Sequence, residues 1–242
     1  MTMTISKASL KAIRYACKFY HYAHHAPAGN VLGYAVFNDD VFCGVVTFGS
    51  GANNNIGTQY GLKQGEVCEL TRVALNGKQT TTSQVVAMCL RRLKHDAPLV
   101  KLVVSYSDVD QRHYGTIYQA TNWIYVGCNL ADTKDGSYII HGQRIHGRRI
   151  SNYVKAHGGL HGLTRLQFVR KYYDHMAEAY TTKGKRKYLM PLNKSLRKKL
   201  LPLAKPYDKD PEKMTYKESH PEEYAERAAH KTQSVNNREK TD

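Results

Sequence analysis

The fold class predicted by this chain is mixed α/β, with one central pair of parallel strands. Three features predict it. The run Leu99–Gly127 opens on Val100, Leu102, Val103 and Val104, an apolar and β-branched stretch suited to a buried strand. Glu66–Leu75 alternates Val67, Leu70, Val73 and Leu75 with Glu69, Thr71 and Arg72, a second strand pattern. Between them, Val85–Leu93 has helical spacing and a basic end (Arg91, Arg92, Lys94) before Pro98. Two parallel strands joined through a helix require a right-handed crossover.

The remaining elements follow in chain order. Lys7–Tyr22 places Leu10, Ile13, Cys17 and Tyr20 at helical spacing, and the helix ends before Pro27 and Gly29. Val31–Phe37 and Val41–Phe48 are strands of an antiparallel hairpin turning at Asn38-Asp39-Asp40. Gly49–Gly65 is rich in Gly and Asn, without periodicity and long for a loop, a pattern common in lids and binding loops. Gly77–Thr82 is a polar turn with Ser83 the expected helix cap. Arg112–Thr121 reads as a helix through Tyr114, Ile117, Tyr118 and Thr121, and Trp123–Val126 as a short strand stopped by Gly127. Tyr138–Ile145 is expected as one strand, His157–Gly162 as a loop, and Leu163–Tyr180 as an amphipathic helix with Phe168 and Tyr172 on one side. Tyr188–Leu192 is the last strand and Lys194–Leu201 a basic helix. Beyond Pro206 the chain is charged and poor in large apolar groups, a flexible composition. The expected division is a domain over 1–207, including a basic strand and helix within 181–205, and a tail over 208–242.

Composition narrows the function classes. In 242 residues, 36 Lys+Arg face 20 Asp+Glu, a formal charge of +16. Such an excess repels itself in a compact state and points to a polyanionic partner. From Thr181 to Lys205 there are nine Lys/Arg and no acidic residue. Within that stretch Lys183, Lys185, Arg186, Lys187, Arg197, Lys198 and Lys199 are expected phosphate contacts, and Arg144–Arg149 is a further basic segment. The five cysteines are scattered and never in a CxxC spacing, which speaks for reduced thiols and against a zinc ribbon. No segment is long and apolar enough for a bilayer, so a cytoplasmic protein with no membrane partner is expected.

Chemistry concentrates after the central strand. Ser105, Tyr106, Ser107 and Asp108 end it with hydrogen-bonding groups, at the sheet edge where open α/β folds carry sites. A carboxylate and a guanidinium within one strand, Glu69 and Arg72, are costly unless paired or functional. His21 and His25 have one metal-ligand spacing if the first helix continues. Cys43 and Cys68 sit in apolar strands and are expected to be inert.

The order helix, hairpin, Glu-Arg strand, helix, buried strand, helix, strand resembles the GCN5-related acyltransferase fold. The run LVVSYSDVDQRHYGTIYQATNWIYVG is similar to the signature of the phage Mom family. Upstream, His21-Tyr22, Glu69-Leu70-Thr71-Arg72 and Ser83 through Lys94 fit that family in order; downstream, Lys187-Tyr188, Lys194–Leu200 and Pro206-Tyr207 do. The resemblance spans roughly Phe19 to Tyr207. It implies a transferase that converts DNA adenine to N6-carbamoylmethyladenine and shields phage DNA from host restriction. Val109-Asp110-Gln111-Arg112 departs from the family pattern, where Pro and Gly are expected. The Gly-rich diphosphate loop of coenzyme-A-using relatives is also missing, although Asn76–Thr80 could hold phosphate at a helix N-terminus.

On this footing the expected catalytic set is His21, Tyr22, Glu69, Arg72, Ser105, Tyr106 and Asp108. Adenine N6 is a weak nucleophile buried in the duplex stack, so the base must be flipped out and met by a proton acceptor. Tyr118, Gln119 and Asn122 are expected contacts to the base, and Lys78, Thr80 and Ser83 to a cofactor. The donor stays open, an acetyl-coenzyme-A-like acyl donor being one option. Iron is an unproven option, with His21 the best candidate ligand. Double-stranded DNA is the expected partner, and a homodimer is compatible with the sequence. Competing readings are an acetyltransferase acting on a protein, tRNA or small amine, and a non-catalytic DNA-binding protein of the same fold.

Overall fold

The computed structural model describes residues 2–51, 55–111, 113–129, 137–181 and 184–207. The chain divides into two units, Met1–Pro206 and Tyr207–Asp242; the tail expected from residue 208 lies outside the described residues. The first unit is built on a seven-stranded sheet and a small three-stranded sheet.

The elements of the large sheet begin with β1 (Met3–Lys7), a strand the sequence reading did not include and which takes Lys7 from the expected helix. The first helix, α1 (Leu10–Tyr20), follows with Ser9 as its cap, and buries Ile13, Ala16 and Cys17. Strands β2 (Val31–Asn38) and β3 (Val41–Gly49) form the expected hairpin. Asp39 and Asp40 both take positive φ at its turn (46° and 64°), as the twist of a two-residue hairpin demands. Next come β4 (Val67–Leu75), α2 (Thr82–Asp96) and β5 (Leu102–Asp108). Thr81, not Ser83, caps α2: its hydroxyl accepts from the Gln84 amide at 3.3 Å.

The sheet order is β1-β2-β3-β4-β5, then β10 (Lys185–Pro191) and β6 (Ile124–Asn129) at the edge. Among the described residues only β4 and β5 pair in parallel, as expected. Their ladder covers just Val67–Glu69 against Leu102–Val104, after which the two strands separate. The resulting gap opens at their carboxyl ends. Helix α3 is a single short piece, Thr116–Ala120, because Gly115 at φ 73° starts it late and Asn122 at φ 59° ends it.

Residues 137–181, between β6 and β10, depart most from expectation. The predicted single strand is a hairpin, β7 (Tyr138–Ile140) and β8 (Gln143–Ile145), turned at His141-Gly142. The unexpected helix α4 (Gly147–Ala156) follows. The predicted long helix is α5 (Arg165–Tyr172), begun by a Thr164–Gln167 capping box. The chain then closes on β7 through β9 (Glu178–Ala179). Ile150, Phe168, Val169 and Ala177 are fully buried there and make a core separate from that of the main sheet. The basic helix α6 (Lys194–Leu200) packs Leu196 and Leu200 onto Val67, Leu102, Val104 and Leu189. No helix among the described residues is long and apolar enough to cross a membrane.

Candidate active site

Strand register decides which side chains share the site. Glu69 and Arg72 are three apart, so a regular strand would send them to opposite faces. They pair instead with Gly49 and Thr47, which are two apart on β3, because β4 carries an extra residue, Thr71, at that point. This bulge brings the carboxylate and the guanidinium to one face. The Thr71 hydroxyl anchors it, lying 2.9 Å from the Thr47 hydroxyl. Arg72 donates to the Thr71 carbonyl at 2.7 Å, while its buried Nε has no hydrogen-bond partner among the described residues.

On β5 the face that packs with Val67, through Val104 and Tyr106, continues to Asp108. The charge of Glu69 reaches Tyr106; with burial as the main cause and Tyr60 adding to it, the phenol is pushed up to about 12 and stays protonated. The next strand aligns Lys187 with Tyr106 and Lys185 with Asp108. The Lys187 ammonium lies 5.0 Å from the centre of the Tyr60 ring, and burial lowers its pKa.

His21 and Tyr22, just beyond α1, complete the mouth. Their rings stack at 4.3 Å, and Tyr22 meets His113 edge-on at 5.5 Å. Tyr22 is 48% exposed, so this aromatic group faces outward. Burial, and then the Asp108 carboxylate, push the Tyr22 phenol above its ordinary pKa. Burial, reinforced by Arg72 and His113, holds His21 down to about 4. Its Nδ1 accepts from the Ala23 amide at 3.0 Å, so the neutral ring carries its proton on Nε2 and offers a donor there. That tautomer has no free lone pair for a metal, a correction to His21 as the preferred ligand. Among the described residues no group of three or more His, Cys, Asp or Glu is placed to hold one.

Ser105 takes a different part from the one expected. It is fully buried on the other face of β5, where it bridges the gap, donating to the Leu70 carbonyl at 3.2 Å and meeting the Tyr118 hydroxyl at 2.8 Å. Tyr118 is 7% exposed and stacks on Tyr188 at 4.5 Å; it is a core residue and no platform for a base. Gln119 folds back to donate to the Tyr114 carbonyl. Asn122 turns the chain after α3, accepts from Arg197 through its carbonyl, and lines a cavity of about 400 Å³ between α2 and α3.

The expected cofactor residues lie around the start of α2. Ser83 lines that cavity with Ala87, Leu90 and Arg91. The Thr80 hydroxyl donates to Gln84, and the Lys78 amide turns in on the Asn76 side chain at 3.0 Å. The Gln84 N–H is turned onto the Thr81 hydroxyl, which caps the start of α2.

The phosphate set divides. Arg186 is buried over the Tyr114 ring and donates to the His113 carbonyl, which removes it from any backbone contact. Lys187 belongs to the site face. Arg197 and Lys199 reach carbonyls of their own chain, while Lys185 and Lys198 are exposed. Lys183 lies outside the described residues. Sequence reasoning missed His113, Tyr60 and the site position of Lys187. It also missed Gly51, whose φ of 74° folds the Gly-rich loop so closely on Glu69 that a Cβ there would strike the carboxylate. Cys68 and Cys89 are inert thiols, burial pushing both up to about 12.

A family model, that of the Mom protein family, matches residues 2–209. No curated protein matches the chain. Among solved structures it is similar to an N-acetyltransferase from Staphylococcus aureus Mu50, at 5% identity and TM-score 0.44 over 79% of this chain and 99% of that one. It is also similar to aminoglycoside 6'-acetyltransferase type Ii, at 8% identity and TM-score 0.44 over 79% and 98%. A third is a GNAT family acetyltransferase from Elizabethkingia anophelis with acetyl-CoA bound, at 10% identity and TM-score 0.41 over 78% and 97%.

Proposed function

The chain belongs to the Mom protein family, and from that premise we propose that it is a transferase acting on N6 of adenine in double-stranded DNA, the product being N6-carbamoylmethyladenine. The observation that supports this reading best is the shared face of Glu69, Arg72, Tyr106 and Asp108 beside an outward-facing aromatic group, Tyr22 with His21 and His113.

The chemistry asks for three things. Adenine must leave the stack, and an exposed aromatic surface offers it a new one. N6 must lose a proton as its bond to carbon forms, and the role of acceptor falls to Asp108, the carboxylate whose charge reaches Tyr22. Charge that develops on the departing part of the donor must be met by fixed donors. Arg72, with its unpartnered Nε, the Tyr106 phenol and His21 Nε2–H supply them. The donor molecule carries the transferred group as a second substrate; its bond to that carbon breaks as the bond to N6 forms, and the remainder of the donor leaves with the bonding pair.

Nucleosides digested from the DNA of cells expressing the protein, analysed by mass, test the reading. A modified adenine that disappears with Asp108→Asn is expected. Unmodified DNA together with an acylated protein, tRNA or amine would replace this function with an acetyltransferase activity.

A further inference from the structure

We propose that the folded piece between β6 and β10, residues 138–181, is a docking module that grips the backbone of duplex DNA beside the site mouth; the proposal rests on DNA being the substrate. Two independent observations lead to it.

The first is position. The chain leaves β6 at Asn129 and re-enters the sheet at Lys185, and Lys185 pairs with Asn129 on one side and Asp108 on the other. The module therefore springs from the same row of the sheet as the proposed proton acceptor. It is latched there as well. Arg144 forms an ion pair with Asp110 at 2.9 Å, on the turn after β5, and lies 4.3 Å from the centre of the Tyr180 ring. This engagement removes Arg144 from the expected phosphate contacts and turns it into a positioning residue.

The second is charge. Residues 138–181 hold seven Lys/Arg and only two acids, Asp174 and Glu178. Asp174 is turned inward, accepting from the His141 and Met176 amides. On α4, Ile150 and Tyr153 pack into the core of the module, while Arg148, Arg149, Asn152 and Lys155 are exposed. Arg148, Asn152 and Lys155 lie at i, i+4 and i+7, one stripe along the helix. None of Arg148, Arg149 and Lys155 pairs with a carboxylate among the described residues; all three are exposed, Arg149 with its guanidinium 5.7 Å from the centre of the Tyr153 ring. A surface helix with cations and no acids gains nothing for folding from that pattern. Evenly spaced phosphates are the partner it fits, and a base flipped into the mouth needs its duplex held alongside.

The test is the full chain carrying Arg148→Gln, Arg149→Gln and Lys155→Gln together, titrated with an unmodified duplex at several salt concentrations. The wild-type log–log slope should fall by about 2.7, at about 0.9 per lost contact. The adenine product should fall in parallel, with the thermal midpoint unchanged. Arg148→Lys and Arg149→Lys should retain the slope, because a phosphate contact needs the charge. An unchanged slope in the triple glutamine variant, with wild type binding and modifying DNA, overturns the module and leaves the enzymatic reading intact. A reduced slope in a protein that makes no modified adenine supports the module and overturns that reading. A wild-type chain that binds no duplex overturns both.

Discussion

Asp108, Tyr106, His21 and Lys187 each make a separate claim at the scale of single residues. Asp108→Asn keeps the shape of the side chain and its bond to the Asp110 amide but loses its capacity to take a proton. The adenine product should fall by about a hundredfold to ten-thousandfold, while duplex affinity is retained; Tyr106→Phe should act in the same direction. Lys187→Met separates a site residue from a backbone contact. Product formation should drop while the salt slope of DNA binding stays, and a flattened slope would return Lys187 to the phosphate set. For His21 the sign follows from its depressed pKa. Near 4 when folded against 6.5 unfolded, the ring binds fewer protons in the native state, so its contribution is complete above pH 6.5 and is lost as pH falls toward 4. Urea unfolding at pH 5 and 7.5 should show a smaller acid loss in His21→Asn, whose amide oxygen can still accept from Ala23.

Two strands that part after three paired residues must be held apart and yet held together, and at the scale of elements Ser105 does the holding. Ser105→Ala leaves the Leu70 carbonyl and the Tyr118 hydroxyl, both buried, without that partner. A loss of about 1–3 kcal/mol is expected in urea unfolding. The bulge at Thr71 is the other device of this kind, and it shows the limit of pattern reading. Alternation along Glu66–Leu75 identifies a strand and marks Glu69 and Arg72 as unusual. Whether they meet depends on one extra residue opposite β3, which no local period reveals. Likewise, helical spacing correctly placed Tyr118 on α3 but left its direction open; stacking on Tyr188, seventy residues later, turns it into the core. The hairpin at Asn38–Asp40 was legible because its turn chemistry is local.

For the whole molecule, the charge of +16 is distributed by folding into distinct tasks. Arg186 is buried over the Tyr114 ring, Arg144 holds a loop, Lys187 faces the site, and the cations of α4 face water. Removal of residues 208–242 should leave the thermal midpoint and the adenine product largely unchanged. That segment has too few large apolar groups to add a core, and the described residues already bury Leu196 and Leu200 under the sheet. A midpoint lowered by several degrees in the truncated chain would count against this.

The sequence alone determined the mixed α/β class, the parallel pair with its helical crossover, the family resemblance and the stretch in which the polar groups gather. Each is written in neighbouring residues: a period of two or of 3.6, a cap, a turn, a contiguous motif. Tertiary structure decided the rest: that Glu69 and Arg72 share a face, that Ser105 and Tyr118 are structural, and that residues 138–181 fold on their own core beside Asp108. It also decided which cations remain open. These outcomes depend on partners tens of residues away, and the burial of an arginine or the register of a bulge is set by those distant contacts and by no feature of the local sequence.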